Sequence, residues 1–324
     1  MTLKLRDRWI WDSWFARNGS EIHTFYLQAE RRLGDPEKRH WNVSVGHAKT
    51  RDFQTWEVLP NALVPSTEPE RFDSLTTWTG CVVSHDDHWE MFYTGTSRVE
   101  NGLVQRICRA RSKDLERWYK QPGCDTPRHD AYWYEELDLA SWHDQSWRDP
   151  WLVHDAADGL WHMFITCRVK GGAPDGRGAI GHAISPDLIR WTTVAPVLAP
   201  GDYGEMEVPQ VFRLDRRWYL LCSVSARFHS ARNRNRPGPR PRTGAIYYVS
   251  DSLEGPWRTF DDPFLHGDAQ GSLYGGRMIE IPGAGPHYVA FRNMGHDGQF
   301  VGELGAPLPI RILPDGQLCI VPSA

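Results

Sequence analysis

At 324 residues the chain is long enough to bury a large core, and its 37 basic residues nearly balance its 41 acidic ones, so no global field gathers nucleic acid or a membrane surface. No apolar run approaches the ~20 residues of a membrane span, and the opening MTLKLRDRWIWDSW has neither an apolar core nor a small-residue cleavage site, so a cytoplasmic protein without a secretion signal is expected. The 16 Trp, 11 Tyr and 12 Phe suit both an all-β fold and the aromatic walls of a sugar site.

In chain order, the first predicted strands are Trp11-Asp-Ser-Trp-Phe15 and Ile22-His-Thr-Phe-Tyr26. The phrase Gly46-His-Ala-Lys-Thr-Arg-Asp-Phe-Gln-Thr-Trp56 then reads as a short strand, a Thr/Asp turn and the start of another strand. The strand pair returns as Trp78–Ser84 with Trp89–Thr94, and the phrase as Cys108-Arg-Ala-Arg-Ser-Lys-Asp-Leu-Glu-Arg-Trp118. A long connection, 119–147, follows, with a short helix predicted from Tyr134 to Leu139. The third cycle is Asp149–His154, Trp161–Thr166 and Gly181–Trp191. The fourth is Val208–Phe212, Trp218–Cys222 and the looser Tyr247–Trp257, and the fifth opens with Gly276–Glu280 and His287–Phe291. The closing tryptophans of the phrase recur roughly every 60–75 residues, a spacing proper to repeat architectures.

Four strands per unit and five units predict a single all-β domain over 1–324. The expected fold is a five-bladed β-propeller with four-stranded antiparallel blades and no C-terminal β-sandwich. The blades are placed at about 8–60, 75–120, 147–195, 205–260 and 272–322. The first strand of each blade lines the channel of a propeller. Asp12, Trp78, Asp149, Glu207 and Tyr274 should therefore ring one mouth, shared by the loops joining second and third strands and those joining blades. The turns between first and second strands fall on the opposite face.

Three of the five innermost strands thus start at an acid. Glycosidic cleavage needs such a set: one carboxylate to attack the anomeric carbon, a second carboxyl of raised pKa to protonate the leaving oxygen, and a third to hold hydroxyls as positive charge develops. In retaining enzymes the first two stand about 5–5.5 Å apart, within reach across a narrow channel. Trp11, Trp14, Trp78 and Trp147 are candidate apolar walls, Arg148 a candidate brace for the carboxylates, and Tyr274 a further substrate contact at the mouth.

These motifs resemble the invertase/levansucrase clan of glycoside hydrolases, families 32 and 68, related to family 43. Trp11-Asp12-Ser13-Trp14 is similar to the levansucrase nucleophile motif, Trp147-Arg148-Asp149-Pro150 to the clan's Arg-Asp-Pro, and Glu207-Val208-Pro209 to its Glu-Cys-Pro. Gly46–Glu57 and Leu59-Pro-Asn-Ala-Leu63 resemble the invertase first blade. The resemblance implies Asp12 as nucleophile, Asp149 as transition-state stabiliser and Glu207 as acid/base, acting by retention on a small furanoside, above all a β-fructofuranoside, in hydrolysis or transfer. It implies no cofactor and no metal. The alternatives are a family 43-like arabinofuranosidase or xylosidase, and a propeller that binds a ligand without glycosidase activity. The invertase Asn-Asp-Pro opening is absent, Val208 replaces the Cys, and Gln210 stands where an acid is common.

Other features carry weaker signals. Glu205 lies two residues before Glu207 and is read as its neighbour. Ser84-His-Asp-Asp-His88 has metal-ligand residues but falls on the face away from the acids, so a solvated turn is expected. Cysteines 81, 108, 124, 167, 222 and 319 show no metal-type spacing and read as free thiols. The stretch 119–147 is either a pocket wall or peripheral packing. Residues 227–242 carry six arginines: composition reads them as a mobile, solvated insertion, while connectivity places them beside Glu207 at the mouth, where a flexible loop would close over bound, above all anionic, substrate.

Overall fold

The computed structural model describes every residue except 1, 122, 124, 238–240 and 322–324. The aromatic-rich runs form strands that assemble into five antiparallel sheets. Blade one is Arg8–Asn18, Glu21–Glu30, Ser44–Thr50 and Glu57–Leu63. Blade two is Thr76–His85, His88–Thr96, Gln105–Ser112 and Tyr119–Lys120, and blade three is Trp147–Asp155, Leu160–Arg168, Gly178–Ser185 and Thr192–Leu198. Blade four is Glu207–Leu214, Arg217–Val224, Thr243–Ser250 and Phe264–Asp268.

Blade five departs from the expected four strands. Its third position is shared by Phe300–Leu304 and Leu308–Ile312, which pair with different parts of Gly285–Met294. The break falls at Gly305-Ala306-Pro307, and proline has no N–H to give a ladder. Leu273–Ile281 is innermost and Leu318–Ile320 outermost. The start of the chain closes the ring: Leu304 N–H donates to the carbonyl of Leu3 at 3.1 Å.

The repeated sequence phrase is a turn between third and fourth strands. In blade one Asp52 Oδ1 accepts from the N–H groups of Gln54 and Thr55, both at 2.8 Å, while Thr50 Oγ1 accepts from Phe53 at 3.0 Å. Asp114 and Asp187 repeat this toward residues 116–117 and 189–190. The residue after each Asp (Phe53, Leu115 or Leu188) adopts positive φ and is buried. Its apolar burial anchors the turn against the seam between blades.

Those seams are the core. Five apolar clusters alternate with the five sheets, each mixing residues of adjacent blades. Cys81 and Phe92 of blade two meet Trp147 and Met163 of blade three, and Ile10 and Tyr26 of blade one meet Val289 and Leu304 of blade five. The innermost strands touch in cyclic order, one to five and back to one, and so wall a central channel. Tyr134–Leu139 forms turns and extended chain rather than the predicted helix, because Tyr134 is pinned as a bridge to Val169. Among the described residues no helix is long and apolar enough to cross a membrane. Cys81, Cys108, Cys167, Cys222 and Cys319 are free, and Cys124 lies outside the described residues.

Candidate active site

One local device recurs around the channel. Each innermost strand slips register against its neighbour near one end: between Trp11 and Ser13, Trp78 and Gly80, opposite Phe164/Thr166 in blade three, between Glu207 and Gln210, and between Tyr274 and Arg277. An extra residue in one strand bends it and re-aims the side chains there. Asp12, Asp149, Val208 and Gly275 sit in these bulges with φ of 23°, 56°, 55° and 58°. Glycine is required at 275, since a Cβ there would lie 2.5 Å from Asp12 Oδ1.

The bulges gather the carboxylates. Thr79, in the blade-two bulge, donates from Oγ1 to Asp12 Oδ2 at 2.6 Å. Asp149 Oδ2 accepts from Thr166 Oγ1 at 3.0 Å and from the Val208 N–H at 3.1 Å, so blade four helps hold the acid of blade three. Tyr274 donates its hydroxyl to Glu207 Oε2. Arg148 braces the group: Nη2 is 3.0 Å from Glu207 Oε1 and 3.3 Å from Glu205 Oε1, and Nε is 3.6 Å from Asp149 Oδ2. Gln105 Oε1 accepts from Arg148 Nη1 at 3.3 Å and fixes the guanidinium from behind.

The environments push these acids apart. Burial, then the charge of Asp149, raises Asp12 to about 6, against the pull of Thr79, Arg277 and Arg39. Burial also raises Asp149, opposed mainly by Arg148. Glu207 is raised to about 7, by burial first and by the Glu205 charge second. For Glu205 burial is outweighed by Arg148, His143 and Trp142, and its carboxyl lies well below the usual range. Such a split lets one carboxyl carry a proton while its neighbours are ionised.

The aromatic candidates divide. Trp78 is half-buried, donates from Nε1 to the His40 carbonyl at 2.8 Å and meets the exposed Trp41 at 5.6 Å. Trp11 is buried, with His40 edge-on to its ring at 6.1 Å and Arg39 over its face at 5.6 Å. Trp14 is not a pocket wall. It is 0 % exposed and stacks on Phe25 in the seam, because the bulge at Asp12 turns the residue two positions on toward the core. Trp147 is likewise core, donating to the Pro127 carbonyl at 3.0 Å and packed on Tyr134.

The connection 119–147 supplies a wall through Trp142, whose Nε1 donates to Glu205 Oε1 at 3.3 Å, and His143, 3.4 Å from the same oxygen. His143, Asp144 and Glu205 could together face a cation, but Arg148 already supplies positive charge there. In the His85–His88 turn, His88 bonds Glu90, which Arg109 and Arg111 also reach.

The arginine-rich segment is not the free loop expected. In its described part, Arg236 pairs with Asp202 at 2.8 Å, Arg242 with Asp262 at 2.5 Å, and Arg234 donates to the carbonyls of Ala226, Arg227 and His229. Ser230 caps a short helix, Ala231–Arg234. Arg227 differs: exposed, it lies over Phe228 at 4.4 Å and has no acidic partner among the described residues. Phe228 packs on Trp142 and His143, and the charge of Arg227 is felt by Arg39 and His40, so it does stand at the mouth. Arg39 and Arg277 are the members that no sequence motif marks; Arg39 lies in a polar turn, and its burial against Phe300, 4.1 Å from the ring, is visible only in three dimensions.

The model of the glycosyl hydrolases family 32 N-terminal domain matches residues 15–275. The chain belongs to glycosyl hydrolase family 32. The matched stretch contains Asp149, Glu207 and Tyr274, and Asp12 lies three positions before it. Among curated relatives, a probable sucrose-6-phosphate hydrolase of Psychromonas ingrahamii is 30% identical over 211 residues, 64% of this chain and 34% of that protein. This family 32 chain thus spans about a third of the length of the first curated relatives it matches. An inulosucrase from Halalkalicoccus jeotgali, solved with kestose, superimposes with a TM-score of 0.77 at 20% identity, covering 98% of this chain and 87% of its own. A Bacillus subtilis levansucrase gives 0.74 at 16% identity, over 98% and 87%. At these identities the two structures speak for the fold, a five-bladed propeller.

Proposed function

We propose that this family 32 propeller is a retaining glycosidase or transglycosidase acting on a β-fructofuranoside. The observation that carries the reading is the convergence of three channel carboxyls: Arg148 bridges Asp149 and Glu207, Thr79 holds Asp12, and burial beside Glu205 raises Glu207 to about 7. Asp12, ionised and held by Thr79, attacks the anomeric carbon of the furanosyl unit. As that bond forms, the bond to the leaving oxygen breaks and Glu207 passes its proton to that oxygen. Glu207, now a carboxylate, takes a proton from water or from an acceptor hydroxyl, whose oxygen displaces Asp12 and restores both residues. Asp149, fixed from Val208 and Thr166, holds ring hydroxyls while the furanosyl carbon is electron-poor.

Relatives named as sucrose-6-phosphate hydrolases support sucrose and its phosphate ester as substrates, and the unpaired guanidinium of Arg227 at the mouth fits a phosphate on the leaving sugar. The free thiols fit a reducing compartment, and the cytoplasm is proposed as the site of action. The test is fructose release from sucrose, sucrose 6-phosphate and kestose, with the anomer of the first product followed by NMR. Glu207→Gln incubated with a fructoside bearing a good leaving group should accumulate a fructosyl ester on the peptide containing Asp12. Cleavage of arabinofuranosides or xylosides with no fructose release would reject the fructoside reading, and an inverted first product would reject the covalent step.

A further inference from the structure

Arg277 lies on the inner strand of blade five, just past the bulge at Gly275, and is 0 % exposed. A guanidinium carries five N–H donors and cannot shed its charge to escape burial. This one is sparsely satisfied. Nη1 donates to the carbonyls of Val208, at 3.2 Å, and Pro209. Its plane lies over the Trp151 ring at 4.8 Å, while Nε and Nη2 have no partner among the described residues. Burying a cation with so few partners is costly, so its placement calls for a compensating role.

Its surroundings suggest one. The two carbonyls belong to the bulge that directly follows Glu207, and the N–H of that same Val208 holds Asp149 Oδ2 at 3.1 Å. Two residues before Arg277, Gly275 lies against Asp12 Oδ1. Arg277 therefore ties blade four to blade five at the level where all three acids converge. We propose that Arg277 is a positioning residue for this site: it clamps the Val208-Pro209 bulge that aims Glu207 and Asp149, and its buried charge acts on both Asp12 and Asp149. The proposal rests on the carboxylate roles given above.

The charges facing each acid make the effect selective. Asp12 faces Asp149, Arg277 and Arg39, with Thr79 as its donor. Asp149 faces Arg148 and Arg277, with Val208 and Thr166 as donors. Glu207 faces Glu205, Arg148, Asp149 and Tyr274, and Arg277 is not among its main influences. Arg277 itself faces Cys81, Asp149 and Asp12; burial lowers it to about 10, so it stays charged at working pH, and burial raises the Cys81 thiol to about 12, so that group stays neutral. Loss of the Arg277 charge should thus move the two aspartates upward and leave Glu207 in place.

Two substitutions in the full chain separate the clamp from the charge. Arg277→Gln removes the charge and keeps a donor for the carbonyls; Arg277→Lys keeps the charge but replaces the fork with a point donor. Carboxyl-carbon NMR titration reads Asp12 and Asp149 without any substrate, and pH–rate profiles are measured beside it. In R277Q both aspartate midpoints should rise by about one unit or more, the acid limb following and the alkaline limb staying. In R277K the midpoints should stay within about 0.3 unit, while turnover falls about tenfold or more as the bulge loosens. If R277Q does not fold, R277M is titrated in its place, and the lysine variant tests the clamp in either case. Unmoved aspartate midpoints in a folded charge-deleted variant, or wild-type turnover in R277K, would overturn the proposal. A wild-type protein that cleaves no fructoside rejects the proposed function instead, while the titrations still decide the charge of Arg277.

Discussion

Replacing Asp12 with asparagine should separate stability from activity in opposite directions. The fold holds the Asp12 carboxyl at about 6 rather than 3.8, through burial and then the neighbouring Asp149. A rise of about two units corresponds to ~3 kcal/mol against the ionised form in the folded state. Below pH 3.8 the carboxyl is protonated whether the chain is folded or not, and it contributes no difference. Between 3.8 and about 6 the unfolded chain releases the proton first, so wild type loses stability across that window and does not regain it above. Asparagine has the same shape and never ionises. With solvent reaching part of the side chain, Asp12→Asn should be more stable than wild type by about 2 kcal/mol at pH 8, near 3 °C in Tm, with the gain vanishing toward pH 4. Turnover of the same variant should fall by orders of magnitude, since an amide cannot attack the anomeric carbon. Melting curves from pH 4 to 8, followed by circular dichroism for both proteins, read the difference directly. An equal gain at both ends, or a loss at pH 8, would refute the reasoning, because it would mean that no ionised carboxylate is being held in the channel at neutral pH.

Glu205→Gln removes the second cause of the raised Glu207 pKa and frees Arg148 for Glu207, so the alkaline limb of the pH–rate profile should fall by about one unit from near 7, with the acid limb unchanged. An upward move would contradict that coupling. Trp14→Ala deletes a fully buried indole from the seam and should cost about 3–5 kcal/mol in urea melts while leaving KM of the folded fraction alone. A stable variant with a raised KM would return Trp14 to the pocket. Arg227→Ala should raise KM for sucrose 6-phosphate by about tenfold and leave that for sucrose unchanged, the pattern of one lost charge-assisted contact. Equal effects on the two substrates would remove the phosphate role.

The propeller was legible because its repeat is physical. The phrase ending at Trp56, Trp118 and Trp191 encodes one turn, an Asp accepting two backbone N–H groups and an apolar residue at positive φ, and such a turn leaves the same letters wherever it occurs. The fourth copy is looser in sequence because it is looser in structure: Ser250 and Ser252 do the capping there. Asp12, Asp149 and Glu207 were readable by position within that repeat. Their meeting in space rests on something the repeat does not spell out, the extra residue in each inner strand. A bulge changes which face a side chain occupies without changing residue type, so alternation read through Asp12 sends Trp14 to the channel, whereas the slipped register sends it to the seam.

The arginines illustrate the same limit from the side of charge. Composition alone makes 227–242 a solvated, mobile stretch, since six like charges repel. Asp202, Asp262 and a row of carbonyls, none adjacent in sequence to the arginines they receive, absorb the charge of Arg236, Arg242 and Arg234. Of the segment's described arginines, Arg227 at the rim has no acidic partner, and within the channel wall Arg277 keeps two nitrogens without a partner among the described residues. One positive charge waits where a leaving group would depart, and the other lies behind the carboxylates that would do the cleaving. Arg277 lies on a bulged inner strand, and Arg227 lies on the loop between the second and third strands of blade four. The departures from regular pairing therefore concentrate where the chemistry is proposed, and the regular turns, which carry the repeat, lie on the face away from it.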